Sequence, residues 1–548
     1  MSTQIEGGAP STAEAVSVVR QAVAMSDFGR AAAQADVFLA QGLIHPALLS
    51  ARALWLERQG RDEDALTAFQ QARALSPGDS TLLNAIGLCL TRLFRLDEAV
   101  GVFDEAIRIN PSHAATHQRK GVALGMGGHL DAAQRAHARA VQLDPRNVEA
   151  IANLAAILAK KGDMGAARAR AERVLKLDPA NGTAHAALAL VELSALQFSD
   201  AEQRLRKVLA GGALSDHGRA VALGLLGDAL DGQDRTDDAF AAYTEANAAL
   251  RSFHGSRFQY EPGTVPRLES VLSSFEAVES SKWTARDDDP NAGSGTVAHV
   301  FLLGFPRSGT TILGQALNSH PEIVTLEERD CLAEPAERYL TSASGLEYLA
   351  NLGDHERAAE RAAYWERVRR HGIRAEGKVF VDKHPFNTLK LPLLAKLFPR
   401  AKILFAVRDP RDVVLSCFRR HFDVDRIKYE FLTLEGAARL YDVIMRFSEA
   451  CRLRLPLDFY LHRHEHLVSD FDTSTRSVCD FLGISWNAGM REFANRAAVI
   501  NAQSASATQL RGGLYGEGLG QWRRYRAQMA NVLPQLECWV EQFGYSPE

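Results

Sequence analysis

Cysteine is sparse in this chain. The six cysteines among 548 residues, at Cys89, Cys331, Cys417, Cys451, Cys479 and Cys538, include no C-x-x-C pair, which argues against a disulfide framework and against a cysteine-built zinc site. Long apolar runs are missing too: nowhere do about eighteen apolar residues follow one another, so no spanning helix is expected. The opening residues, MSTQIEGGAPSTAEA, hold no basic segment followed by an apolar one, and the expected compartment is cytoplasmic. No block of like charge occurs and the formal net charge is −4, which gives no reason to expect a nucleic-acid partner or a membrane surface. What is present, 46% apolar residues over 548 positions, suits two or more domains with sizeable cores.

The first half repeats itself. Prolines recur 34 residues apart at Pro77, Pro111, Pro145 and Pro179, and alanines keep the same period at Ala65, Ala99, Ala133, Ala167 and Ala201. Another small residue recurs at Ala53, Gly87, Gly121, Ala155 and Ala189. Two helices per repeat account for this, with small residues where the helices cross and proline ahead of the next helix. The pattern resembles tetratricopeptide repeats: four central repeats over 46–181, looser ones over 182–214 and 218–250, and a degenerate one over 12–45. The expectation is an all-α superhelix over 12–250 behind a disordered 1–11. Its concave face is expected to bind a protein or peptide, the acceptor included; a spacer or a homodimerisation arm is the alternative. Residues 251–296 turn polar and Gly/Pro-rich around one short helix, 265–278, and read as a linker.

The second domain, 297–548, opens on VAHVFLLGFPRSGTTILGQALN. An apolar strand, a turn over Gly304–Gly309 and a helix from Thr310 follow in order. Free N–H groups of such a loop and first helical turn converge on an anion, helped by the helix dipole. Arg307, Ser308, Gly309, Thr310 and Thr311 supply the donors. A nucleotide triphosphatase places Lys where Thr310 stands, so the loop fits a shorter anionic group handled by Arg. PRSGTT after an apolar strand resembles the 5′-phosphosulfate loop of sulfotransferases that use 3′-phosphoadenosine 5′-phosphosulfate (PAPS).

Further along, RSGTT, His320-Pro321 and Glu327-Glu328 resemble tyrosylprotein sulfotransferases, and the resemblance makes Glu328 the catalytic base. A carboxylate beside the transferring group can take the acceptor's proton. Where that family has Arg two residues on, this chain has Asp330, so acceptor contacts differ. The strand Lys378–Val381 leads to Asp382-Lys383-His384-Pro385-Phe386, in which the resemblance gives Lys383 the leaving oxygen; His384 is the alternative base. A third strand, Ala401–Val407, ends in RDPRDVVLS, where Asp409 and Pro410 start a helix on local grounds. By resemblance Arg408 and Ser416 hold the 3′-phosphate, with Arg420 a further contact, and three strand-to-motif junctions suit a ligand at the carboxyl edge of a parallel sheet. His462, His464 and His466 alternate, which reads as plain surface rather than metal; no metal is expected. In the Gly-rich stretch 504–525, Ser506 and Arg511 match a cofactor-contacting segment of bacterial repeat-containing sulfotransferases.

The expected architecture is thus a tetratricopeptide superhelix followed by an α/β, P-loop-like domain with a mostly parallel sheet. The implied reaction moves a sulfuryl group from PAPS to a hydroxyl, tyrosine of a protein among the candidates, leaving adenosine 3′,5′-bisphosphate. Two other readings stay open. One is a kinase-like phosphotransferase, for which Asp382 is the candidate Mg²⁺ carboxylate; the other is a non-catalytic repeat scaffold.

Overall fold

Small residues at a fixed spacing let helices approach, and the repeat region is built on that. The computed structural model describes residues 11–212, 214–258, 263–283, 295–420, 424–493 and 518–548. They fall into two compact units, Met1–Val191 and Glu192–Glu548. In the first, helices pair as Thr12–Ala24 with Phe28–Ala40, Pro46–Arg58 with Asp62–Leu75, and Ser80–Arg92 with Leu96–Ile109. Ala114–Met126 with Leu130–Leu143 and Val148–Lys161 with Met164–Leu177 continue the series. The degenerate first repeat is therefore a helical hairpin like the others. A Cβ on Gly87 would lie 2.5 Å from the Phe103 ring, and one on Gly121 would lie 2.6 Å from the His137 ring. Each glycine thus makes room for the large side chain sixteen positions later. Ala65, Ala99, Ala133 and Ala167 are completely buried, and Pro77, Pro111, Pro145 and Pro179 each sit in the turn between two pairs.

The second unit continues the helical series before the sheet begins. Helices Phe198–Ala210, Asp216–Asp231 and Thr236–Phe258 lead the chain, and Gly227 faces the Tyr243 ring in the same sixteen-residue relation, 2.4 Å from an added Cβ. The helix Thr264–Ala277 packs on the long helix Leu434–Arg454. Arg454 ties them by donating to the carbonyls of Glu276, at 2.6 Å, and Val278, at 2.9 Å.

Five parallel strands form the sheet: β1 (Ala298–Gly304), β2 (Ile323–Glu327), β3 (Val379–Lys383), β4 (Lys402–Val407) and β5 (Asp458–Arg463). Their spatial order is β2-β3-β1-β4-β5 and every pairing is parallel. The sequence expectation lacked β2, because Ile323–Glu327 is only five residues long and runs straight into the acidic turn. β1, β3 and β4 are almost wholly buried, as strands covered on both faces must be. From β1 the chain crosses toward β2, whereas from its neighbour β4 it crosses toward β5, on the other side. The carboxyl ends of β1 and β4 therefore flank a crevice at the switch point. Among the described residues, no helix is long and apolar enough to cross a membrane.

Candidate functional site

At the end of β1 the chain turns so tightly that glycine is required twice. Gly304 has φ +153° and a Cβ there would meet the Ala406 carbonyl of β4 at 2.4 Å. Gly309, the N-cap of the helix Thr310–Asn318, has φ +91°, and a Cβ there would meet His464 Nδ1 at 2.4 Å. Between them Arg307 adopts φ +72°, a conformation costly for a side chain of that size. Arg307, Ser308, Thr310 and Thr311 are all buried. The loop is a cradle of amides and hydroxyls at a helix N-terminus, suited to an anion.

The β4 motif meets this loop directly. Asp409 caps the helix Pro410–Arg419 by accepting from the Arg411 N–H, with Pro410 in the first turn. In that helix's second turn, Ser416 Oγ accepts from Arg307 Nε at 2.9 Å. Arg408, at the end of β4, donates to the Arg307 carbonyl at 3.3 Å. Burial, followed by the charges of Arg420 and Arg408, pushes the Arg307 guanidinium down to about 9. Three arginines thus crowd the mouth of the loop, a field that favours an anionic ligand. Arg420 also reaches Asp228 Oδ2, at 3.7 Å, on the helix Asp216–Asp231.

On the other side of β1, Lys383 at the end of β3 is fully buried and donates to Glu328 Oε1 at 2.8 Å, with Glu327 Oε2 at 3.5 Å. Glu328 stands at φ +48° and its N–H donates to the Lys383 carbonyl at 2.8 Å. Burial pushes the Glu328 carboxyl up, but the Lys383 charge and hydrogen bond outweigh it, and the net shift is downward. The carboxylate is ionised at neutral pH while 37% exposed. His384 follows with its N–H on the Leu302 carbonyl. Burial and the Lys390 charge lower its ring to about 4, so it is neutral and weakly basic. Asp330 is held by Lys390.

Asp382 faces the opposite way from Lys383, as alternate strand residues do. It is buried, accepting from the Tyr364 hydroxyl at 2.8 Å and from Asn387 Nδ2 at 3.4 Å, and burial raises its carboxyl to about 7. It is not placed to hold a Mg²⁺ ion beside the loop. The alternating histidines are also unlike the expectation of plain surface: His462 and His464 are buried. His462 lies against Ser474 Oγ at 2.9 Å, and His464 opens a short helix against Gly309. Among the described residues, no cluster of three or more His, Cys, Asp or Glu could hold a metal ion. Ser506 and Arg511 lie outside the described residues.

The described end of the Gly-rich stretch 504–525 does reach the site, through residues other than Ser506 and Arg511. The stretch from Gly518 to Tyr525 lies along the start of the helix Pro410–Arg419: Asp412 accepts from the N–H groups of Gly520, at 2.6 Å, and Trp522, at 2.9 Å. The Gly518 carbonyl accepts from Arg408. Trp522 is buried beneath the Arg411 guanidinium, 3.9 Å from its ring.

Comparison with known proteins bears out the two-part architecture. Residues 299–488 match the "Sulfotransferase family" model, residues 21–124 a model of the N-terminal tetratricopeptide region of Psidin, and residues 148–181 the tetratricopeptide repeat itself. Protein-tyrosine sulfotransferase 1 of Danio rerio is 27% identical over 45% of this chain and 72% of its own length. Protein-tyrosine sulfotransferase 2 of Gallus gallus is 31% identical over 34% of this chain and 52% of its own. An uncharacterised protein of Aquifex aeolicus is 24% identical over 63% of this chain, which spans 45% of that protein's length. The chain thus carries tetratricopeptide repeats ahead of a sulfotransferase-family domain, homologous to protein-tyrosine sulfotransferases.

Proposed function

We propose that the protein transfers a sulfuryl group from PAPS to a hydroxyl acceptor. The observation that carries this reading is the meeting of the loop and the β4 motif through Arg307 and Ser416, with the Lys383–Glu328 pair on the other side of β1. The loop amides with Arg307, Ser308, Gly309, Thr310 and Thr311 hold the 5′-phosphosulfate. Arg408 and Ser416 hold the 3′-phosphate, and Arg420 adds positive field. Glu328, ionised and partly exposed, accepts the acceptor's proton. Lys383 neutralises the oxygen that departs with the nucleotide. As Lys383 turns to that oxygen, Glu328 loses the partner that holds its pKa down and becomes the stronger base, so the two events reinforce each other. His384, lowered to about 4, is the poorer base at neutral pH.

The acceptor is a tyrosine of a protein or peptide, a choice favoured by the homology to protein-tyrosine sulfotransferases and by the repeats, whose concave face takes a protein or peptide. The kinase-like reading is disfavoured by Asp382, which is buried against Tyr364. The scaffold reading is disfavoured by the charged groups, which keep mutual geometry a relic has no reason to preserve.

Calorimetric titration with adenosine 3′,5′-bisphosphate, beside ATP with Mg²⁺, tests the donor class. Binding of the bisphosphate that Ser416→Ala and Arg408→Ala weaken supports the reading. Binding of ATP in its place replaces it with a phosphotransferase. Labelled PAPS offered to tyrosine peptides then tests the acceptor.

A further inference from the structure

Asp231, the last residue of the helix Asp216–Asp231, gathers three side chains from the α/β part of the same unit. Tyr525 donates its hydroxyl to Asp231 Oδ1 at 2.6 Å, Arg524 Nη1 donates to the same oxygen at 2.8 Å, and Arg419 binds Oδ2. Arg524 also donates to the Asp231 carbonyl at 3.0 Å and to Asp234 Oδ1 at 2.8 Å. The Arg419 guanidinium lies between the rings of Tyr243, 5.1 Å away, and Tyr525, 5.0 Å away. The next helix adds Asn247, which donates to the Phe418 carbonyl at 2.8 Å. With the Asp231 side chain 16% exposed and three donors on it, this is a half-buried, charge-assisted clamp.

The clamp matters because of what its partners hold at their other ends. Arg524 and Tyr525 close the same short stretch whose Gly520 and Trp522 N–H groups bind Asp412 and whose Gly518 carbonyl binds Arg408. A Cβ on Gly518 would come within 3.3 Å of Arg408, so the stretch lies tightly over that guanidinium. Arg419 ends the helix that carries Ser416, and Arg420, the residue after it, is held at 3.7 Å by Asp228, one turn before Asp231. Two routes therefore run from the end of one repeat-like helix to the groups around Arg307.

The geometry points to Asp231 as a positioning residue for the nucleotide site: by anchoring Arg524, Tyr525 and Arg419 it sets Arg408 and the Ser416 helix for the 3′-phosphate. The helical hairpin ahead of the sheet is thereby part of the donor site. This rests on the donor reading proposed above and deepens it.

Calorimetry on the full chain compares adenosine 3′,5′-bisphosphate with adenosine 5′-monophosphate, for the wild type, Asp231→Asn, Asp231→Glu and Tyr525→Phe. The ratio of the two affinities isolates the 3′-phosphate. Loss of a charge-assisted anchor should lower that ratio by about tenfold in Asp231→Asn, with partial recovery in Asp231→Glu. Tyr525→Phe, which removes one hydroxyl and keeps the ring, should lower it about threefold and remain folded. A ratio unchanged in Tyr525→Phe and in a folded Asp231→Asn, whatever the melting temperature does, overturns the inference and leaves the donor reading standing. Failure of the wild type to bind the bisphosphate overturns both.

Discussion

Lys383 and Glu328, 55 residues apart in sequence, are joined twice: Lys383 Nζ donates to Glu328 Oε1 at 2.8 Å, and the Glu328 N–H donates to the Lys383 carbonyl at 2.8 Å. The main-chain bond holds Glu328, at φ +48°, against the end of β3, which brings its carboxylate within reach of the Lys383 ammonium. A fully buried ammonium then faces two carboxylates, those of Glu327 and Glu328.

Glu328→Gln keeps the shape and the main-chain bond while removing the base. The turnover rate should fall by about 10²–10⁴-fold, the usual worth of a general base. The dissociation constant for adenosine 3′,5′-bisphosphate should hold within about twofold, since no nucleotide contact is lost. A variant with near-normal turnover of PAPS would reassign the base, with His384 next in line.

How much of this could be read beforehand depended on whether the signal was local. The strand, loop and helix around Arg307 are contiguous, and each residue type in Gly304–Thr311 has a reason visible in a few neighbours. The same holds for Asp409 and Pro410, which start their helix by side-chain chemistry of their own. The repeat period was legible because prolines from Pro77 to Pro179 and small residues such as Gly87 and Gly121 recur every 34 positions, whereas the large rings those glycines admit, Phe103 and His137, emerged only from the packing. Other features depended on the fold. Asp382 and Lys383 are adjacent in sequence yet lie on opposite faces of β3, one locked to Tyr364 and the other to Glu328. Asp231 meets Tyr525 across 294 positions, and nothing in either neighbourhood announces the other. β2 is only five residues long and runs into Glu327-Glu328 at once, so its pairing with β3 is what defines it.

Gly309→Ala tests the phosphate cradle by steric means alone. A Cβ at φ +91° is strained by itself, and it would sit 2.4 Å from His464 Nδ1. Together these should cost about 1–3 kcal/mol of stability and lower the affinity for the bisphosphate. Adding His464→Ala relieves the collision and leaves the backbone strain, so the pair should cost less than the sum of the single changes. Strict additivity in thermal or denaturant unfolding would show that the two residues do not touch.

In the repeat unit, Gly87→Ala should destabilise for a similar reason without touching the catalytic half. Its Cβ would stand 2.5 Å from the buried Phe103 ring, an overpacking expected to cost about 1–3 kcal/mol. The double change Gly87→Ala with Phe103→Leu should recover part of that loss. Circular dichroism melts of the four proteins give the answer, and a Gly87→Ala protein as stable as the wild type would contradict the close crossing.

Acid should weaken the second unit, and the sign follows from four histidines. Burial lowers His299 and His464 to about 3 and His384 and His462 to about 4. Between the unfolded value near 6.5 and those folded values, the unfolded chain takes up protons that the folded one refuses. Stability is therefore present above about pH 6.5 and declines as pH falls toward 4, by about 1.4 kcal/mol per pH unit for each histidine fully within its window. Asp382 works the other way: burial raises it to about 7, so its contribution is present at low pH and lost as pH rises from about 3.9 to 7. Burial raises the Asp412 and Glu430 carboxyls as well, but three carboxyls against four histidines still leave the net slope positive. His299 is the sharpest probe, because it sits among Tyr364, Trp365, Phe380 and Phe398 with the Tyr364 hydroxyl at 3.1 Å. Urea unfolding midpoints at pH 7.5, 6.5 and 5.5 should fall in that order, and His299→Gln should shallow the decline while lowering every midpoint. A flat profile in the wild type would mean that the buried histidines accept protons inside the fold.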